Sequence, residues 1–389
     1  MAEGNGRQLR NWLKGFLDWT MPRSETPESM LKWMGLFTLS SLVKRNVHWP
    51  KALMGSYSIY PNFYIVLVGE PAVVRKSTTV DFAKELLGNA PVTFAGDVSS
   101  HSKILDALVQ SPDASLSIVS SEFSSLIQTT PEATYELLTD IFDNKASFSW
   151  STWAHGDKKV EKPVVNLAAA TTPAWMSRQP HEYFVGGGFS SRVLFLYEEE
   201  PRQKEIYYDH LDQQYLTDLE RSLIEDLNAI GKITGEVRHD SNKTKEHIRG
   251  WYKKQVIENP DPKLKGYFGR KHVHAHKIAT LLSLAEGDNL KITMKHWKEA
   301  LIMLAYVEGK MSKAFAGMGT NPFANMMEEI VDYLRLRDDE TSFKQIAQRF
   351  YSSGVTLEQL KAGLAYLCTA GKIKAKGIEN PVYTAVKLK

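Results

Sequence analysis

The chain has 389 residues, 43% of them apolar and 24% charged, with a net charge of +3 and an isoelectric point near 8.6. That length holds a substantial core in two or three domains, and the composition excludes a disordered or low-complexity chain. No apolar run reaches the ~18 residues that span a bilayer, the amino terminus lacks the apolar block of a secretory signal, and the single cysteine, Cys368, excludes an internal disulfide or cysteine-rich zinc site. The expectation is an intracellular, cytoplasmic protein with no membrane partner. Its charge is so mildly basic that any case for nucleic acid must rest on local clusters.

In chain order, residues 8–50 predict two helices, the second in "SMLKWMGLFTLSSLVKR", with Trp12, Phe16 and Trp19 on the apolar side of the first. They read as a helical collar over residues 1–55. From Tyr64 to about Tyr197 strands alternate with helices: "FYIVLVG", "PVTFAG", "SLSIVSS", "VVNLAAATT" and "SRVLFLY" are the apolar runs of strand length. The alternation predicts an α/β core over 56–200, a parallel sheet flanked by helices. Ser99 or Ser100 is placed to cap the helix that follows the second strand. Ligands of such sheets sit at the carboxyl ends of the strands, where Gly69, Glu122, Thr171 and Thr172 fall. Residues 201–318 read as wholly helical, with polar breaks near 236–243 and 258–269. Residues 322–389 predict three short helices and a β-hairpin, the outline of a winged helix.

One stretch carries chemistry. "GEPAVVRKST" follows a buried strand and opens a helix, as a phosphate-binding loop does, but departs from the G-x-x-x-x-G-K-[ST] spacing. Arg75 stands where the second glycine is expected, and Gly69 lies one residue too far from Lys76. Amides at a helix amino terminus attract phosphate, so the cradle would run through Gly69, Glu70, Pro71, Ala72, Val73, Val74 and Arg75 to Lys76, Ser77 and Thr78. Lys76 would reach the β/γ-phosphates and Ser77 would ligate Mg²⁺. The bland reading is a strand-to-helix turn with a surface lysine. Downstream, Glu122 ends a strand where a water-activating acid is wanted, with Ser121 in place of the usual aspartate and able to hold a metal-bound water. Thr171 and Thr172 end the next strand, where a γ-phosphate sensor belongs. Arg192 follows a glycine-rich turn, either as a cation for a neighbour's nucleotide or as a surface arginine paired with Glu198 or Glu199.

The order of these parts resembles the AAA+ core of phage- and plasmid-type replicative helicase ATPases, related to the superfamily-three and minichromosome-maintenance helicases. Residues 30–310 carry the resemblance, and an arginine directly before the loop lysine, as in "RKST", belongs to it. It implies a P-loop AAA+ core with an N-terminal helical collar, a helical lid and a C-terminal winged-helix domain. It also implies ATP and Mg²⁺ as cofactors, catalysis by Glu122, Thr171 or Thr172 and Arg192, and a homo-oligomeric ring, expected to be a hexamer. In "FGRKHVHAHKIATLLSLAEG" the opening Arg270 matches the lid arginine that reads the γ-phosphate, with Lys271 as a substitute. His272, His274 and His276 are spaced by two, off any single helical face, and read as lid surface and packing rather than as metal ligands.

DNA is the expected partner, with primase or other replication proteins beside it; no primase module is visible ahead of the collar. "ASFSWSTWAHGDKKVEKPVV" predicts a β-hairpin. In superfamily-three helicases such a hairpin enters the ring channel, and His155, Lys158 and Lys159 match its tip. Trp150 and Trp153 would anchor it. Lys361, Lys372, Lys374 and Lys376 face out from the winged helix and suit nonspecific phosphate contact or the docking of a partner protein. Three functions compete: a ring-forming ATP-dependent DNA helicase or translocase, an ATP-switched loader or initiator that does not unwind, and a binding module with a degenerate ATPase core.

Overall fold

Apolar runs buried on both faces pair as inner strands of a covered sheet, and this chain builds its larger unit around them. The computed structural model describes residues 6–95, 101–127, 131–152, 156–177, 179, 184–185, 188–255, 262–315, 322–337, 339–350, 356–377 and 381–386. Its contacts divide the chain into two units, Met1–Ala316 and Gly317–Lys389. The first unit opens with α1 (Trp12–Thr20) and α2 (Glu28–Val43). The sheet region follows as β1 (Tyr64–Val68), α3 (Lys76–Leu87), β2 (Phe94–Ala95), α4 (His101–Gln110), β3 (Ser115–Ser120) and α5 (Pro131–Phe142). It continues through β4 (Ser147–Thr152), β5 (Gly156–Glu161), β6 (Val164–Thr171) and β7 (Val193–Tyr197). Long helices complete it: α6 (Gln213–Gly231), α7 (Asn242–Lys254), α8 (Lys265–Glu286) and α9 (Met294–Ala314).

The main sheet runs β2-β3-β6-β1-β7 with every pairing parallel. This mixed α/β architecture, a five-stranded parallel sheet flanked by helices, is compatible with a phosphate-loop core. Strands β1, β3 and β6 are buried along their whole length. Val68 lies opposite both Thr171 and Tyr197, and Ser120 opposite Ala169. Parallel register thus brings the carboxyl ends of β1, β3 and β6 to one rim.

The expected collar is no separate layer. Helix α2 is buried nearly all round and packs on β6, α3, α6 and α8. A helix apolar on every face belongs in a core. Helix α1 packs on α2 and α6, and Trp12 Nε1 donates to Leu223 O at 2.9 Å. Helix α9 lies along β7, and α8 packs against the 190–192 turn. Collar, core and lid segments therefore share one unit. Nor is 201–318 wholly helical. Gly235–Glu236 pairs in parallel with Val47–His48, and Arg238–His239 with Lys291–Ile292. Helix α8 also begins inside the break placed at 258–269. The proposed cap residues Ser99 and Ser100 lie outside the described residues.

The predicted hairpin is present: β4 and β5 pair antiparallel from Ser147–Glu161 to Thr152–Gly156. In the second unit α10 (Pro322–Arg337), β8 (Thr341–Ser342), α11 (Phe343–Phe350), α12 (Leu357–Thr369), β9 (Ile373–Lys376) and β10 (Val382–Ala385) follow in order. Its three strands run β8-β10-β9, antiparallel, around a core that includes Ile330, Ile346, Leu364 and Ile373. The three helices and hairpin match the expectation; the two-residue β8 is too short to leave a periodic signal.

Two of the three histidines of α8, His274 and His276, are packing residues. His274 is fully buried, stacked on Tyr267 at 5.6 Å, and His276 meets Trp49 and Trp297 edge-on. Among the described residues no three His, Cys, Asp or Glu side chains gather as a metal site. Burial pushes the pKa of His274 down to about 3 and that of His276 to about 4. In the unfolded chain both protonate near 6.5, so between pH 6.5 and 4 the unfolded state binds more protons and stability falls as pH falls. These two groups alone should make unfolding easier at pH 5 than at pH 7 by about 4 kcal/mol. Urea titrations at the two pH values check this, and equal midpoints would contradict it.

Candidate functional site

The loop after β1 answers the irregular spacing. Gly69 N donates to Thr171 O at 3.4 Å, which holds the loop's first residue against β6. A Cβ on Gly69 would stand 2.6 Å from Val74 Cγ2 and 2.9 Å from Glu198 O, so only glycine fits there. Ala72 and Arg75 both take left-handed backbone, at φ 60° and 50°. Arg75, the residue that precedes α3, thus adopts the conformation a glycine would hold freely, at a cost of about 1 kcal/mol. Its side chain is pinned: Arg75 Nε donates to Glu25 Oε2 at 2.6 Å. The Glu205 amide and then the Arg75 guanidinium hold the Glu25 carboxyl below its ordinary pKa.

Gly69→Ala should destabilise the protein by about 1–3 kcal/mol through this overpacking. Thermal melts test it; an unchanged melting temperature would mean that the loop has another path.

Lys76 Nζ donates to Gly69 O at 2.6 Å and to Glu70 O at 2.8 Å. Burial lowers its pKa. Its hydrogen bonds go to neutral carbonyls and no carboxylate forms an ion pair with it among the described residues, while the Glu70 charge partly offsets the effect of burial. A half-buried cation of this kind at a helix amino terminus fits an anionic ligand.

Lys76, Ser77 and Thr78 open on a cleft of about 720 Å³ that is also lined by Ser121, Glu122, Thr171 and Thr172. The structure thus gathers the loop, the acid and the threonines, which come from three strand ends. Glu122 is exposed to the cleft, and its amide donates to Ser120 Oγ at 3.2 Å. Thr171 is 6% exposed, whereas Thr172 Oγ1 accepts from Trp175 N at 3.2 Å and caps the short helix Pro173–Ser177. Of the two, Thr171 has the hydroxyl free of that capping role. Ser77 is exposed and suits a metal-bound phosphate. Ser121 suits a metal less well, because Lys84 Nζ donates to its Oγ at 3.1 Å and places a cation where a metal-bound water was expected.

Arg192 and Arg270 do not line this cleft. They converge on Asp143 instead: Arg192 Nη2 donates to its Oδ2 at 2.8 Å and Arg270 Nη1 to its Oδ1 at 2.8 Å. Burial pushes the Asp143 carboxyl up, but the two guanidiniums outweigh it and hold its pKa below the ordinary value. The alternative partners of Arg192 are engaged elsewhere, Glu198 by Lys310 at 2.5 Å and Glu199 by Lys313 at 2.9 Å. Lys271 pairs with Glu308 at 2.8 Å. Behind this cluster Lys277 is fully buried, donating to Asn62 O and Oδ1 at 2.9 and 2.8 Å, and burial drives its pKa well down. Glu25, Lys84, Asp143 and Lys277 carry no signal in the sequence, since each acts through a partner at least 37 residues away and no local pattern marks it.

Of the predicted DNA contacts, His155 lies outside the described residues, as does the side chain of Lys158, and so does Trp153, expected to anchor the hairpin. Lys159 is exposed and pairs with Glu161 at 2.6 Å. In the second unit Lys361, Lys372 and Lys374 are exposed, and Lys376 pairs with Glu340 at 3.0 Å.

No protein-family model and no curated protein sequence matches this chain. Among solved structures it is similar to one named "SCCmec type IV Cch - active helicase", with a TM-score of 0.40 and 10% identity over 97% of this chain and 70% of that one. A likeness that distant carries no argument about activity. No helix among the described residues is long and apolar enough to cross a membrane.

Proposed function

We propose that this protein is an ATPase that moves along DNA as a ring-forming helicase or translocase in replication, of a phage or mobile element as the family resemblance implies. The observation that carries the reading is the single cleft in which Lys76, Ser77, Glu122 and Thr171 meet at the carboxyl rim of a parallel sheet. Lys76 and the loop amides bind the triphosphate, Glu122 orients and deprotonates water, and Thr171 holds the γ-phosphate end. Mg²⁺ held through Ser77 would neutralise charge on the transferring phosphoryl group. Arg192 and Arg270, paired on Asp143 away from the cleft, would serve a neighbouring subunit's nucleotide rather than their own, which requires a closed homo-oligomer such as a hexamer. The β4–β5 hairpin couples hydrolysis to the strand through Lys158 and Lys159. The second unit, read as a winged helix, adds Lys372 and Lys374.

A second reading, a nucleotide-switched loader or initiator, is favoured by one contact: the Lys84 ammonium on Ser121 opposes a metal there and slows turnover. Purified protein should hydrolyse ATP faster with single-stranded DNA and displace a strand from a forked duplex. Stimulated hydrolysis without displacement would select the loader, and no hydrolysis at all would leave only a binding module.

A further inference from the structure

Helix α7, "NKTKEHIRGWYKK", carries five lysines and arginines against one acid, Glu246, while the whole chain has a net charge of only +3. Lys245, Arg249 and Lys253 recur at i, i+4 and i+8, so they form one stripe with roughly 6 Å between successive cations. Arg249 pairs with Glu246 at 2.7 Å; the two lysines have no ion pair among the described residues. A fully solvated basic face would need nothing further. This one borders a cavity of about 300 Å³, near the lower end of small-ligand sites, lined by Lys245, Arg249, Trp251, Tyr252, Tyr57 and His272.

The cavity is aromatic and open. Tyr252 is 54% exposed and Tyr57 44%, so both rings are accessible from solvent. Between them lies His272, its ring 4.9 Å from that of Tyr252 and its Nε2 3.4 Å from the Tyr57 hydroxyl. His239 also lines the cavity and leans toward Trp49, ring to ring at 5.0 Å. Burial lowers the pKa of both imidazoles, so at neutral pH they offer flat neutral walls instead of further cations. Cations beside exposed rings form the pattern on which phosphates are gripped and bases stack. An anionic membrane would use the charges but not a concave, tyrosine-walled cavity, and an acidic peptide would leave the rings without planar partners.

We propose that α7 and this cavity bind single-stranded nucleic acid, with phosphates on Lys245, Arg249 and Lys253 and one unstacked base against Tyr252 and Tyr57. Its lining shares no residue with the nucleotide cleft, and the proposal stands whether or not the chain hydrolyses ATP.

The test uses the full chain without nucleotide and a fluorescent oligo(dT), read by anisotropy over a salt series. Lys245→Ala/Arg249→Ala/Lys253→Ala should weaken binding and flatten the plot of log K against log[salt] by about 2, since a single strand contributes ~0.7 per phosphate contact. Tyr252→Ala should lose about tenfold in affinity with the salt slope unchanged. All four positions lie on the surface, and unaltered circular dichroism and melting temperature establish that the variants fold. Lys14→Ala, at an exposed lysine of α1, should bind the oligonucleotide as the parent does, which separates this surface from a general loss of positive charge. Wild-type affinity and slope in the triple variant, wild-type affinity in Tyr252→Ala, or binding to phosphatidylserine vesicles with none to the oligonucleotide would each overturn the proposal.

Discussion

Lys76→Ala is expected to reduce ATP hydrolysis at least a hundredfold while leaving the fold intact. The ammonium stands at the start of α3, and in this structure it rests on Gly69 O and Glu70 O, neutral acceptors from which a triphosphate would draw it. Removing it takes away charge stabilisation that grows as the phosphoryl group transfers, so turnover falls more than binding. Glu122→Gln is the companion: nucleotide should still bind, with hydrolysis lost to a similar extent, because the amide cannot take a proton from water. Fluorescent-nucleotide binding and phosphate release, measured on the same preparations, separate the two effects. Full turnover by Lys76→Ala would remove the basis for a nucleotide site in this cleft.

Arg192→Ala is expected to cost about 10³-fold in hydrolysis, at the lower end of what an arginine finger supplies. Its geometry makes a sharper test possible. Arg192 sits on Asp143 with Arg270, outside the cleft lined by Lys76. If it serves the neighbour, mixing Arg192→Ala with Lys76→Ala protein restores activity, since interfaces form that pair an intact loop with an intact arginine. Neither variant regains activity on mixing if Arg192 acts within its own chain or only steadies Asp143. Loss of this exposed-side pair alone should cost stability by about 1 kcal/mol or less, because Arg270 still holds Asp143. A large drop in melting temperature with unchanged kcat would make Arg192 structural.

The residues of the cleft were legible because each sits at the end of an apolar run. "FYIVLVG", "SLSIVSS" and "VVNLAAATT" announce buried parallel strands, and the residues just past a buried strand of such a sheet lie at a ligand-binding rim. Glu122 and Thr171 are therefore visible in the sequence alone. The choice between Thr171 and Thr172 is not, since capping of Pro173–Ser177 by Thr172 is a matter of local turn geometry. The partner that Arg192 and Arg270 share is hidden for a different reason: an arginine's reach is long, and the acids just after Arg192 in sequence, Glu198 and Glu199, are taken by α9.

The sequence by itself determined the apolar strands of the sheet, the loop with its lysine, the hairpin and the helices of the second unit, because periodicity and turn chemistry are local. Only the tertiary structure decided that α2 is a core helix, that Glu25 braces the left-handed Arg75, and that Lys84 stands on Ser121. Those outcomes depend on which buried surfaces and charges meet across tens to hundreds of residues, and local sequence carries no record of such distances.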